Sequence, residues 1–178
     1  MGSEIKSTEI LSNLKSKDSE IVMAAIGKIR VSGSSLVLGE MIELLHDTRR
    51  PEIRKSVLNL LSELKDKESV KVLVAAIKNE KYSEQRAELV ACCWQNGLTY
   101  NDYLPFFIDL VILEEFLVAF EAFTVIENMF GNIEEEVIDI EVIKINNALK
   151  NADEQKAYLL NGLLTIIKDI PEQQEFTD

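Results

Sequence analysis

From Ser7 onward, apolar residues return at steps of three and four positions, and no stretch alternates apolar with polar for long enough to argue for a sheet. The pattern predicts helix along the whole chain. Short breaks rich in turn-forming and capping residues interrupt it at 16–19, 32–35, 47–51, 65–69, 79–83, 96–101, 113–114, 131–133 and 150–153. Breaks this short suit antiparallel helix pairs, which places five helical hairpins at roughly 7–31, 35–65, 68–96, 101–130 and 134–170. Residues 171–178, all but two of them polar or charged, read as a tail after the last helix.

The hairpins repeat one another. Ile21 matches Ile53 at a shift of 32, and the same shift carries Glu52, Arg54, Val57 and Leu58 onto Glu84, Arg86, Leu89 and Val90. The first helices obey it as well, with Met41, Ile42 and Leu45 falling on Leu73, Val74 and Ile77, and Asp47 on Asn79. Near the end, Leu160, Leu163, Leu164 and Ile167 echo Val57, Leu60, Leu61 and Leu64. In the fourth hairpin Phe116, Phe120 and Phe123 keep the helical spacing, but the motif residues are gone. A single hairpin cannot hide its own apolar stripe, whereas stacked hairpins share a continuous core. The expected architecture is therefore an all-α solenoid of about five stacked hairpins, forming one domain over 1–170, with a closed helical bundle as the alternative.

Such hairpins resemble the HEAT family, including its shorter bacterial HEAT-like forms. The resemblance rests on Asp47, Pro51, Ile53 and Arg54 in the second hairpin and on Asn79 and Arg86 in the third. It implies an aspartate near the turn between the helices and a basic residue early in the second helix. Physically, the aspartate can accept backbone N–H bonds at a helix start while the arginine bridges to a neighbouring turn. Val22 stands where Arg54 would be in the first hairpin, and the fourth has no basic residue. The resemblance also implies a scaffold whose second helices line an inner face. The positions that would look out from those helices are Arg54, Lys55, Asn59, Ser62, Glu88, Gln95 and Glu121, and these are the candidate partner-binding residues.

Charge adds a second candidate region. The chain has a net charge of −12, and residues 1–100 carry 15 basic and 14 acidic side chains whereas 101–178 carry 4 and 17. No Lys or Arg occurs between Arg86 and Lys144. This half is either a solvated acidic surface or a face that attracts a basic peptide or protein. Its aromatic stripe Phe116, Phe120 and Phe123 is expected to be mostly core, with part of the fourth hairpin left as a contact surface rimmed by Glu114, Glu115 and Glu121.

Little points to catalysis, a cofactor or a metal. The only histidine, His46, closes a helix, where an imidazolium complements the carbonyl end. Cys92 and Cys93 are neighbours on a helix and point about 100° apart, so they read as core thiols rather than a disulfide. Glu134, Glu135 and Glu136 sit where a helix should begin and complement its dipole, with a cation site shared with Asp139 as the weaker reading. Arg49, Arg50, Arg54 and Lys55 form the one local basic cluster, interleaved with acids, and the net charge opposes nucleic-acid binding. No apolar run reaches the roughly 18 residues of a membrane span, and Met1 to Lys6 lacks a leader pattern, so a soluble cytoplasmic protein is expected. The expected function is a non-catalytic interaction scaffold. The alternatives are an enzyme-associated HEAT-like protein such as a chromophore lyase, or an acidic inhibitor of the immunity type.

Overall fold

A computed structural model of the chain describes residues 9–32, 37–131 and 133–174. Among them ten α-helices carry the fold, and there is no strand. Residues 9–14 are helical (α1), followed by α2 (Ser19–Ser32), α3 (Leu38–Asp47), α4 (Pro51–Ser62), α5 (Glu68–Lys78) and α6 (Arg86–Asn96). Then come α7 (Leu104–Leu113), α8 (Phe116–Glu127), α9 (Glu135–Leu149) and α10 (Glu154–Gln174). Two 3-10 segments, Glu80–Gln85 and Asn101–Tyr103, lead into α6 and α7. The helix pairs fall where the breaks place them, with one shift at the end: α10 runs past Pro171 to Gln174. The rest of the expected tail, 175–178, lies outside the described residues, as does most of the expected 32–35 break.

The chain divides into two compact units, Met1–Leu98 and Thr99–Asp178. In the first, apolar residues at helical spacing face inward: Leu38, Met41, Ile42 and Leu45 on α3, and Ile53, Val57, Leu60 and Leu61 on α4. Helix α4 packs on α2, α3 and α6, while α5 packs on α3 and α6. Helices α3 to α6 each thus meet the other helix of their own pair and the corresponding helix of the neighbouring pair. Pro51 starts α4 where a missing N–H costs nothing, and Gly97 ends α6 in the left-handed conformation at φ 67°.

In the second unit α7 pairs with α8 and α9 with α10, and α7–α9 and α8–α10 contacts join the pairs. Its core holds Leu104, Phe107, Ile108 and Val111 of α7 against Ala119, Ala122, Val125 and Ile126 of α8, with Ile145, Leu160, Leu163 and Ile167 beneath. No helix among the described residues is long and apolar enough to cross a membrane.

Candidate functional site

In the first unit, side-chain bonds tie the second helices of successive pairs at a nearly constant offset. Ser19 donates to Glu52 (3.1 Å) and Arg30 pairs with Glu63 (3.2 Å), joining α2 to α4. Arg54 donates to Glu88 (2.5 Å) and Ser62 to Gln95 (2.5 Å), joining α4 to α6. These partners lie 33 or 34 positions apart at both ends of each helix, as parallel helices in register require. Arg54 also donates to the Leu45 carbonyl (2.7 Å), and Arg86 repeats the bond at its own level, Nε to the Ile77 carbonyl (3.1 Å). Both span nine residues, so the arginines bind the end of the preceding helix.

Four of the candidate partner-binding residues, Arg54, Ser62, Glu88 and Gln95, are therefore engaged in bonds between helices, and Lys55 and Asn59 remain as exposed positions on α4. The aspartate of the expected joint also takes a different place. Asp47 is exposed, and the hydroxyl of its neighbour Thr48 accepts the Arg50 N–H (3.2 Å). One level on, Asn79 does fill the expected role, accepting from the Lys81 N–H (3.0 Å). Threonine wins at the first level because it is buried beside the turn while Asp47 keeps its charge in water.

A group of titratable side chains ties α3 to the 3-10 segment. Tyr82 donates its hydroxyl to Glu43 (2.7 Å), Lys81 pairs with the same carboxylate, and His46 Nδ1 lies 3.0 Å from Gln85 Oε1 with its ring edge-on to Tyr82. Hydrogen bonds from Lys81 and Tyr82 hold the Glu43 carboxyl below its ordinary range, while the bond to Glu43, with burial, pushes the Tyr82 phenol up to about 12. Both shifts move away from neutral pH, which suits a structural tie better than proton transfer. A cleft of about 370 Å³ opens nearby, lined by Glu40, Glu43 and Asp47 as well as Lys15, Arg49 and Arg50. Opposed charges around it leave no single sign of field to gather one class of ligand.

Two lysines of the second unit, Lys144 and Lys156, are turned onto groups of their own unit. Lys144 bridges Asp109 (2.9 Å) and the buried Glu141 (2.8 Å), linking α9 to α7. Burial disfavours its charge, but the bonds to Glu141 and Asp109 outweigh that and raise its pKa. Lys156 donates to the carbonyls of Val111 (2.7 Å) and Glu114 (2.6 Å), closing the end of α7, and burial lowers its pKa. Glu135 and Glu136 occupy the first turn of α9, in keeping with the dipole reading, and Cys92 and Cys93 are buried thiols not joined in a disulfide. Among the described residues no group of three His, Cys, Asp or Glu side chains is placed to hold a metal ion.

The aromatic stripe departs from expectation. Phe116 and Phe120 are 47% and 46% exposed, stacked on each other with centroids 6.1 Å apart, and only Phe123 turns inward, against Gly162 of α10. Helix α8 has two apolar faces and buries the one made of Ala119, Ala122, Val125 and Ile126. Small residues there let α7 and α8 approach closely, which leaves the rings outside. Leu117 and Leu113 join them in solvent at 61% and 78% exposure. Glu115 is exposed at the start of α8, with Glu114 and Glu121 half-buried beside the same stretch. Leu113 and Leu117 fall in the part of the fourth hairpin expected to be left as a contact surface, whereas Tyr158 of α10 is a position that sequence reasoning misses.

No family model matches the chain, and a search of curated proteins found no match.

Proposed function

We propose that this chain is a HEAT-like repeat protein that works without catalysis, as an interaction module for a basic peptide or protein held by its acidic second half. The repeated arginine-to-carbonyl bonds and the constant offset between second helices support the stacked, HEAT-like reading of the hairpins. One observation carries the functional reading. Residues 101–178 have 17 acidic side chains against 4 lysines, and Lys144 and Lys156 are turned onto groups of their own unit. A negative field of this kind speeds the approach of a cationic partner and repels anionic ones.

The test is fluorescence anisotropy of a labelled oligolysine titrated with the full chain at low and at high salt. Binding that weakens steeply with salt, and weakens further when Glu114, Glu115 and Glu121 are changed together to Gln, is the expected result. Binding unchanged by the triple substitution would remove those three residues from the account. An absence of binding at low salt would sink the proposal.

A further inference from the structure

We infer that the exposed flank of α8, Phe116, Leu117 and Phe120, with Tyr158 of α10, is the docking face for an amphipathic helix of a partner protein, one whose apolar stripe is bordered by lysine or arginine. This rests on the reading of the second unit as the binder of a basic partner, and adds where and in what form the partner binds.

The face is preformed. Ala119 and Ala122 take up the core side of α8, so the bulky side chains at 116, 117 and 120 stand on the outside, and the stacking of Phe116 on Phe120 holds two of them in place. Helix α10 widens the patch. Lys156 anchors its first turn to the Glu114 carbonyl just before α8, and Gly162 meets Phe123 further along, so the two helices run side by side in the same direction. Tyr158 lies one turn before Gly162, 80% exposed, as Phe120 lies about one turn before Phe123.

The form of the partner follows from the spacing. Phe116 and Phe120 are one turn apart, about 6 Å, on a helix about 18 Å long, and this spacing suits a second helix whose apolar residues recur every three and four positions. A peptide that binds as an added β-strand would need a strand edge, and the described residues contain no strand. Its charge follows from the surroundings. Glu114, Glu115 and Glu121 border the patch in a half of the chain with 17 acids and 4 lysines, and exposed rings add attraction for cations above their faces. The same charge disfavours the other occupants of an apolar face. A second copy would bring like charges together, and an anionic membrane would repel the unit.

Two labelled synthetic peptides test this on the full chain: a helix of about 14 residues with leucines on one stripe and lysines elsewhere, long enough to cover α8, and an oligolysine of equal charge. The amphipathic peptide should bind at least tenfold more tightly. Leu117→Ser with Phe120→Ser should reduce it to the oligolysine level, while Ile140→Ser with Ile143→Ser, on exposed positions of α9, should leave it unchanged. Circular dichroism melts check folding, and Leu117→Gln alone, at a 61% exposed position, serves if the double variant unfolds. Equal binding of both peptides, indifferent to the α8 changes, would overturn the docking face and leave the basic-partner reading standing. No binding of either peptide would overturn both. A dimer in sedimentation that Leu117→Ser abolishes, or binding to phosphatidylserine vesicles that it abolishes, would overturn the proposal in favour of a second copy or a membrane.

Discussion

Arg54 of α4 donates one guanidinium nitrogen to Glu88 of α6 while another holds the Leu45 carbonyl at the end of α3. One side chain thus fastens three helices. Arg54→Ala should lower stability by about 1–3 kcal/mol, read from urea unfolding, because it strands a carbonyl and a carboxylate together. Arg86→Ala, at a buried position with bonds to the Ile77 carbonyl and Glu80, should cost at least as much. Asp47→Ala should change stability by less than about 0.5 kcal/mol, as at an ordinary exposed site. A large Asp47 effect with a silent Arg54 would make the aspartate, and not the arginine, the fastening of this joint.

The Glu43–Tyr82 bond predicts losses at both ends of the pH scale. Glu43 has a depressed pKa in the fold, so its contribution is complete above the ordinary carboxyl value of 4.5 and fades as pH falls through the folded value. Tyr82 is raised from 10.0 to about 12, so its contribution is complete below 10 and fades as pH climbs towards 12. Tyr82→Phe should flatten the alkaline loss measured by thermal melts, and tyrosinate absorbance should show one late-titrating phenol fewer in the variant than in the wild type.

Gly162 and Phe123 should show a change of sign between backgrounds. A Cβ on Gly162 would stand 2.9 Å from Phe123 Cε2, so Gly162→Ala should be neutral or destabilising by up to about 1 kcal/mol in the wild type, as the ring shifts. With Phe123→Ala already present, the same change should stabilise by about 0.5–1 kcal/mol, the ordinary helix preference of alanine over glycine. A double-mutant cycle in urea measures the coupling directly. Equal effects in both backgrounds would mean that the two side chains do not meet.

Lys156→Met should destabilise by about 1–3 kcal/mol, because the Val111 and Glu114 carbonyls lose a shared charged donor while the apolar stem is kept. Hydrogen exchange should speed up at the last turn of α7 and the start of α8. Unchanged exchange there would place the lysine's role elsewhere.

The helix pairs were legible in the sequence because burial at three- and four-residue steps and short capped breaks each leave a mark on residue type. The joint at Arg54 was legible for the same reason, through its copy at Arg86. Its acceptor was not: the Leu45 carbonyl belongs to the backbone, which every residue carries alike, so Asp47 drew attention in its place. Ser62 and Gln95 looked like outward positions from their spacing alone, and only the in-register packing of α4 on α6 engages them with each other. Phe116 and Phe120 illustrate the opposite error. Periodicity identifies an apolar face, but a helix with two of them buries the one that packs more closely, and that choice depends on the neighbouring helix.

The arginine joints carry a consequence for how such a chain changes length. Arg54 and Arg86 make the same bond from positions 32 residues apart, each to a carbonyl within its own period. A duplication or deletion of one whole period would therefore carry its fastening with it and rejoin matching surfaces, whereas a loss of any other length would leave an arginine facing the wrong turn. Growth by copying is open to the first half of this protein in a way that it is not to the second, where, among the described residues, Lys144 and Lys156 make bonds unlike each other.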